Sequence, residues 1–359
     1  MDLVVPPDSR DAPPIEVPTV VRSKLPSSRG ETIITYTLLS NGIAVWVYDD
    51  RGVSSRRITI KPAELEARAL QFHRLCSTRD SDLAVLRSAG SSLYDLLVKP
   101  IEDRLAPERT LVFETEGVLS EVPMEALVDH QGRYFGDGHR TVFAAGFYQT
   151  LRLHSPATIT RQAPVLIVSV PVVPDRRAVP LMDAEGEAQT VASCFRSVRR
   201  LDGLAASLAA IRNDLRGAVV FHFVGHAAAL PELNGLLLAD YDNRAKHARL
   251  IDGESFSAET VKGLKLVVLA ACDTGAAADG TAGTEGLVQA LLRDGVPDVV
   301  ASRWRVDSAQ TASLMRGFYR ELLAGKSVAA SLHAAKMELV MQPSSSHPYY
   351  WAAFELQGL

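Results

Sequence analysis

The apolar positions near the start of the chain fall into three short runs rich in β-branched and aromatic residues: Thr32–Leu39, Ile43–Tyr48 and Val53–Ile60. Asn41-Gly42 and Asp49-Asp50-Arg51-Gly52 separate them, and both are tight-turn signals, so the runs are expected to pair as an antiparallel meander. The spacing then changes to steps of three and four residues. It does so in Ala63–Leu75 and again in Ser81–Leu105, where Leu83, Leu86, Leu93, Leu96 and Leu97 share one stripe, as an amphipathic helix requires. The spacing predicts an α+β region over residues 31–155.

From Pro164 onward, short β-branched runs alternate with helical spacing. The strands expected are Val165–Val170, Ala218–Val224, Leu266–Ala271 and Val299–Ser302, with Ala352–Leu356 as a late strand. Helices are expected over Glu185–Arg196, Leu204–Leu215, Gly283–Asp294, Ser308–Ala324 and Val328–Met341. Near-continuous apolar strands alternating with helices mark an α/β fold, with a mostly parallel sheet covered on both faces. No repeat of solenoid length is present. Sheets of this kind bind ligands beyond the carboxyl ends of their strands, which is where chemistry is to be sought.

Composition narrows the picture. The 359 residues are 47% apolar and 22% charged, which excludes a mostly disordered or fibrous chain. The net charge of −4 and the lack of a basic run give no electrostatic footprint for nucleic acid. No apolar segment approaches the ~20 residues that a membrane-crossing helix needs. MDLVVPPDSRDAPP lacks the basic-then-apolar pattern of a leader, so a cytoplasmic protein is expected. Six of the 19 prolines lie in residues 1–30, read as an arm or linker because proline joins neither helix interiors nor sheet ladders. The three cysteines, Cys76, Cys194 and Cys272, form no C-x-x-C pair. A disulfide framework and a thiolate metal site are therefore not expected, and a single thiol stays available as a nucleophile.

Two of the expected strands end in chemically able residues. One runs Val220-Phe221-His222-Phe223-Val224-Gly225-His226, the other Leu266-Val267-Val268-Leu269-Ala270-Ala271-Cys272. Taken alone, a cysteine ending an apolar strand is usually an inert core thiol, and a histidine beside glycine is usually structural. Placed together on one rim they gain meaning, because an imidazole that accepts the thiol proton creates a thiolate nucleophile. His222 and His226 also form H-x-x-x-H, but on a strand that spacing spans ~13 Å, so no metal site is expected and His222 is read as a core residue.

His226 in FHFVGHA, Cys272 in LKLVVLAACDTG, the segments GTEGLVQALLRDGVPDVVASRWRVD and FYRELLAGKSVAASLHAAK, and the closing HPYYWAAFELQG together resemble the CHAT domain, a bacterial relative of caspases and separases. LYDLLVKPIEDRL and GVLSEVPMEAL extend the resemblance into the first half. It implies a caspase-like αβα sandwich in residues 156–359, with residues 31–155 as the N-terminal part of the same unit. It implies a cysteine endopeptidase with a His226/Cys272 dyad, oxyanion donors on the backbone of Ala227 and Cys272, and neither cofactor nor metal. The family usually has Gly where this chain has Ala227. Trp304, Arg305 and Asp307 are implied beside the substrate pocket. Arg305 would favour an acidic side chain and Asp307 a basic one, while Asp307 with Gln310 also fits a helix N-cap.

Relatives often carry tetratricopeptide repeats and act in bacterial defence or cell death, where some cleave a gasdermin. The implied partners are thus a protein substrate, for example a gasdermin-like effector, and a sensor or repeat protein on another chain. The competing reading is a catalytically idle caspase-like module that binds a partner through the same groove. A small-molecule binder is weaker, since GTAGTEG lacks phosphate-loop spacing. No G-x-S-x-G supports a serine hydrolase.

Overall fold

The structure is a computed structural model in which residues 30–144, 158–174, 180–230, 233–242, 247–271, 285–304 and 308–358 are described. The expected Pro-rich arm lies outside the described residues apart from Gly30. Two compact units divide the chain, one within residues 1–153 and one over residues 154–358.

In the first unit, β1 (Glu31–Leu39), β2 (Gly42–Asp49) and β3 (Gly52–Thr59) form the expected antiparallel meander. The pairings Leu39↔Gly42 and Asp49↔Gly52 close each hairpin over two residues. Gly42 is required there, because a Cβ would stand 2.1 Å from the Ile58 carbonyl oxygen. Helix α1 (Pro62–Ser77) opens on proline, whose fixed φ suits the first turn. Helix α2 (Leu83–Leu97) is capped by Asp82, whose carboxylate accepts from the N–H groups of Ala84 and Val85. It stops short of the expected Leu105. Pro100 lacks an N–H and crowds the preceding turn, so residues Lys99–Arg104 tighten into a 3-10 turn. Strands β4 (Thr110–Glu114) and β5 (Arg140–Phe143), too short for periodicity to reveal, extend the sheet parallel to β1 in the order β3-β2-β1-β4-β5.

The second unit holds β6 (Pro164–Val170), β7 (Ser197–Asp202), β8 (Val220–Gly225), then β9 (Ala227–Leu230), β10 (Leu233–Asp242) and β11 (His247–Ile251), and finally β12 (Leu266–Ala271), β13 (Asp298–Ser302) and β14 (Phe354–Gly358). Parallel pairing links β13-β12-β8-β6-β7 in that order, with β14 antiparallel beside β13. Strands β9 to β11 form a separate antiparallel sheet. Every residue of β8 and of β12 is buried, as strands covered on both faces should be.

Among the described residues, five helices of eight or more residues accompany this sheet: α3 (Ala184–Cys194), α4 (Leu208–Leu215), α5 (Glu285–Arg293), α6 (Ser308–Leu323) and α7 (Val328–Val340). Phe221, Phe223, Val267, Leu269 and Val299 point to one face and build an apolar core with α4, α5 and β10. Their neighbours in sequence point to the other face, toward α3 and α6. The helix expected from Leu204 instead begins at Leu208, because the Ser207 hydroxyl caps it by accepting from the Ala210 N–H.

Asp298 opens β13 and is partly buried. Burial pushes its carboxyl up to about 7. A carboxyl raised in the folded state contributes its stability in the protonated form, fully below the unfolded carboxyl range, and loses it as pH rises through about 7. Asp298→Asn is therefore expected to raise the melting temperature at pH 8 relative to wild type and to leave it unchanged near pH 4. Equal shifts at both pH values in a calorimetric comparison would refute this.

Candidate active site

Strands β8 and β12 lie side by side in parallel, with Val224 opposite Ala270 and Gly225 opposite Ala271. Just past Gly225 the chain continues as His226, which is only 7% exposed. Cys272 is the residue that follows Ala271 and lies outside the described residues, as do Arg305 and Asp307. Helix α6 begins at Ser308, immediately after Asp307. The rim is tied laterally as well: the Ser302 hydroxyl at the end of β13 donates to the Ala271 carbonyl.

Ala227 opens β9 opposite Leu236. The Leu237 N–H donates to the His226 carbonyl at 2.8 Å, which makes Ala227 and Leu236 a non-hydrogen-bonded pair of the antiparallel ladder. The Ala227 N–H is consequently turned away from β10. Gly225 is needed for space rather than for an unusual backbone angle. A Cβ there would stand 2.7 Å from the Phe223 ring and 3.2 Å from the Val170 carbonyl oxygen.

Trp304 is buried, and its indole N–H donates to the Tyr349 carbonyl at 3.0 Å. The residue before it, Arg303, is paired with Glu355 on β14, both side chains being buried, and its N–H donates to the Ala353 carbonyl at 2.7 Å. This buried ion pair and the Arg303 backbone bond together tie the chain to β14 as it leaves β13.

His222 is fully buried on the face covered by α3 and α6. Its Nε2 lies 3.1 Å from Glu187 Oε1, and its Nδ1 lies 2.9 Å from the Tyr319 hydroxyl. Burial pushes the Glu187 carboxyl up, and the hydrogen bond to His222 opposes it in part. Burial also drives the Tyr319 phenol up. Sequence reasoning missed Glu187 and Tyr319. A signal existed, since Glu187 falls on the same stripe of α3 as Ala184, Ala188 and Val191, where a polar residue is out of place unless it has work to do.

Beside these groups a cavity of about 40 Å³ opens at the carboxyl ends of β8, β12 and β13. Leu181, Glu187, Val224, Ala270, Trp304 and Phe354 are among its walls. Of the other thiols, Cys76 is buried and burial pushes the Cys194 thiol up, so Cys194 is held away from its reactive thiolate form. No group of three metal-ligating side chains occurs among the described residues. Nor, among them, is any helix long and apolar enough to cross a membrane.

The second unit is thus a mixed α/β unit with a mostly parallel sheet and a buried histidine just past the carboxyl end of a central strand. The chain matches the CHAT domain over residues 87–359 and belongs to that family. It is 26% identical to tetratricopeptide repeat protein 28 of Mus musculus over 324 residues, and 26% identical to that of Homo sapiens over 321 residues. Each match covers 74% of this chain and 13% of the relative, so the chain spans only a small part of the curated proteins it matches. Among solved structures it is similar to the Saccharomyces cerevisiae separase–securin complex, with TM-scores of 0.59 and 0.60 in two determinations. Identity there is 11% and 10%, over 95% of this chain and 30% and 31% of that one. At such identity the likeness is one of fold.

Gly225→Ala is expected to cost about 1–3 kcal/mol, since the added methyl must displace a packed ring or a strand backbone. Gly186→Ala, in α3 with no neighbour within 4 Å, is expected to be neutral or stabilising by up to ~1 kcal/mol through helix propensity. Denaturant unfolding of both variants checks the pair, and an unshifted midpoint for Gly225→Ala would contradict the steric account.

Proposed function

We propose that the chain is a cysteine endopeptidase in which Cys272 is the nucleophile and His226 its proton acceptor. The Cys272 thiol gives its proton to His226, and the sulfur attacks the peptide carbonyl. The tetrahedral oxyanion is held by the N–H groups of Ala227 and Cys272, as the fold class suggests. His226 then protonates the leaving amine as the carbon–nitrogen bond breaks. Water, deprotonated by His226, hydrolyses the resulting thioester and restores the thiol.

The register of β8 with β12 carries this reading. Gly225 and Ala271 are opposite each other, and the next residues along the chain are His226 and Cys272. Further support comes from the Ala227 N–H, which the ladder leaves uncommitted, and from membership of the CHAT family. Burial disfavours Cys194 as an alternative nucleophile.

The proposed setting is a cytoplasmic bacterial defence or cell-death module with a protein substrate such as a gasdermin-like effector. A sensor or repeat protein on another chain is the proposed partner, in keeping with the repeat named in the mouse and human relatives. No role for nucleic acid, metal or cofactor is proposed.

Cys272→Ala and His226→Ala are each expected to lower peptide turnover by about a thousandfold or more, and the double variant by no more than either alone, because the pair acts as a unit. Cys76→Ala and Cys194→Ala are expected to keep wild-type turnover. Undiminished cleavage by Cys272→Ala refutes the dyad. Wild-type protein that binds its partner yet cleaves neither it nor any peptide supports the idle-module reading instead.

Exposure to a chelator is expected to leave turnover unchanged, whereas alkylation of Cys272 abolishes it. Loss of turnover in chelator that zinc restores would contradict a thiol–imidazole mechanism.

A further inference from the structure

Glu187 is the group that the dyad chemistry does not use. It is 2% exposed, and only its Oε1 is engaged, by His222. Its Oε2 has no hydrogen-bond partner among the described residues, and Glu187 belongs to the wall of the cavity at the strand ends. A buried carboxyl with one oxygen unused is costly, and a donor or a cation beside it removes that cost.

The cavity is placed to receive such a group. Val224-Gly225 and Ala270-Ala271 line it, and these pairs directly precede His226 and Cys272. A side chain entering beside a peptide bond held at this rim would pass Leu181, Trp304 and Phe354, which are apolar and suit a methylene stem. The Ser302 hydroxyl, also in the wall, is already committed to the Ala271 carbonyl. Among the described walls, Glu187 is thus the charged group available to the tip of the guest. An acidic guest would set two carboxyls together in a dry site, and a purely apolar guest would seal Oε2 away from any donor. A long stem ending in a cation satisfies both walls and carboxyl.

We propose that this cavity is the pocket for an arginine or lysine preceding the cleaved bond, and that Glu187 is the residue that selects it. The identity of the guest as a substrate side chain rests on the peptidase reading. His222 and Tyr319 are positioning residues in this scheme: the Tyr319 hydroxyl donates to His222 Nδ1, and His222 Nε2–H donates to Glu187 Oε1. The carboxylate is thereby held in place while its other oxygen meets the cation. This charge choice opposes the acidic preference that Arg305 would bring.

Two measurements test the proposal. Peptidyl acyloxymethyl ketones carrying Arg, Leu or Asp next to the reactive ketone are incubated with the protein, and labelling of Cys272 is followed by intact mass. The Arg probe is expected to label about tenfold or more faster than the Leu probe, with the Asp probe slowest. Glu187→Gln, which keeps a hydrogen-bonding oxygen and amide toward His222, is expected to slow the Arg probe about tenfold or more and leave the Leu probe within about twofold, as loss of one charge-assisted bond predicts. Separately, n-butylguanidine and its neutral analogue n-butylurea are titrated into Cys272→Ala by calorimetry. The cation alone is expected to bind, and Glu187→Gln in that background is expected to abolish binding.

Labelling led by the Leu or Asp probe overturns the pocket assignment while leaving the peptidase intact. The order of probes on the wild-type protein decides this even if Glu187→Gln fails to fold. No labelling by any probe, with butylguanidine binding that depends on Glu187, removes the peptidase reading and keeps the cation pocket. Neither labelling nor binding overturns both.

Discussion

The parallel ladder between β8 and β12 is the constraint on which the candidate site depends. His226 and Cys272 are 46 residues apart in sequence, and no local interaction can bring their segments together. The backbone pairing of Val220–Gly225 with Leu266–Ala271 does so. It is held by burial on both faces, since every side chain in the two strands is removed from water. A slip of one residue would turn the Phe221, Phe223, Val267 and Leu269 core toward the opposite face. The apolar pattern that stabilises the unit is thus the same pattern that sets the level at which the two strands end.

The two faces of this sheet differ in character. The face built on Phe221, Phe223, Leu269 and Val299 is apolar throughout, and its packing is a matter of stability. The opposite face carries His222, with Glu187 and Tyr319 bonded to it, under α3 and α6. Apolar side chains of matching volume would pack there without the cost of burying a carboxyl. Retaining a carboxyl, an imidazole and a phenol in a core position beside a cavity is an expense that the fold alone does not require.

Much of this was legible in the sequence because the controlling forces are local. The meander of β1–β3 follows from turn residues and β-branched runs, and the central strands from runs long enough to be apolar on both faces. The departures have equally local causes. Pro100 ended α2 early, and Ser207 moved the start of α4. Strand β7 escaped notice because Ser197, Val198 and Arg199 are exposed, so no burial pattern is written into it. Strands β4 and β5 take their conformation from pairing with β1 and with each other, which is non-local. His226 was visible as chemistry at a strand end. Glu187 was hidden, since a carboxylate in a helix reads as solvent-facing until the packing of α3 on β6 and β8 is known.

The positions of these groups follow from what a ladder does to backbone donors. Inside β8 or β12 a residue has its N–H bonded to a neighbouring strand, and it has no donor left for an oxyanion. A residue one step beyond the ladder escapes that commitment while its predecessor stays fixed. Gly225 and Ala271 are the last paired residues of their strands, and the Ala271 carbonyl is finished by the Ser302 hydroxyl instead of by continued pairing. Ala227 meets the same requirement differently, by entering β9 at a non-hydrogen-bonded position. Strand ends in such a sheet are therefore where rigid placement and free backbone hydrogen-bonding capacity coincide, and acyl transfer with main-chain donors needs both.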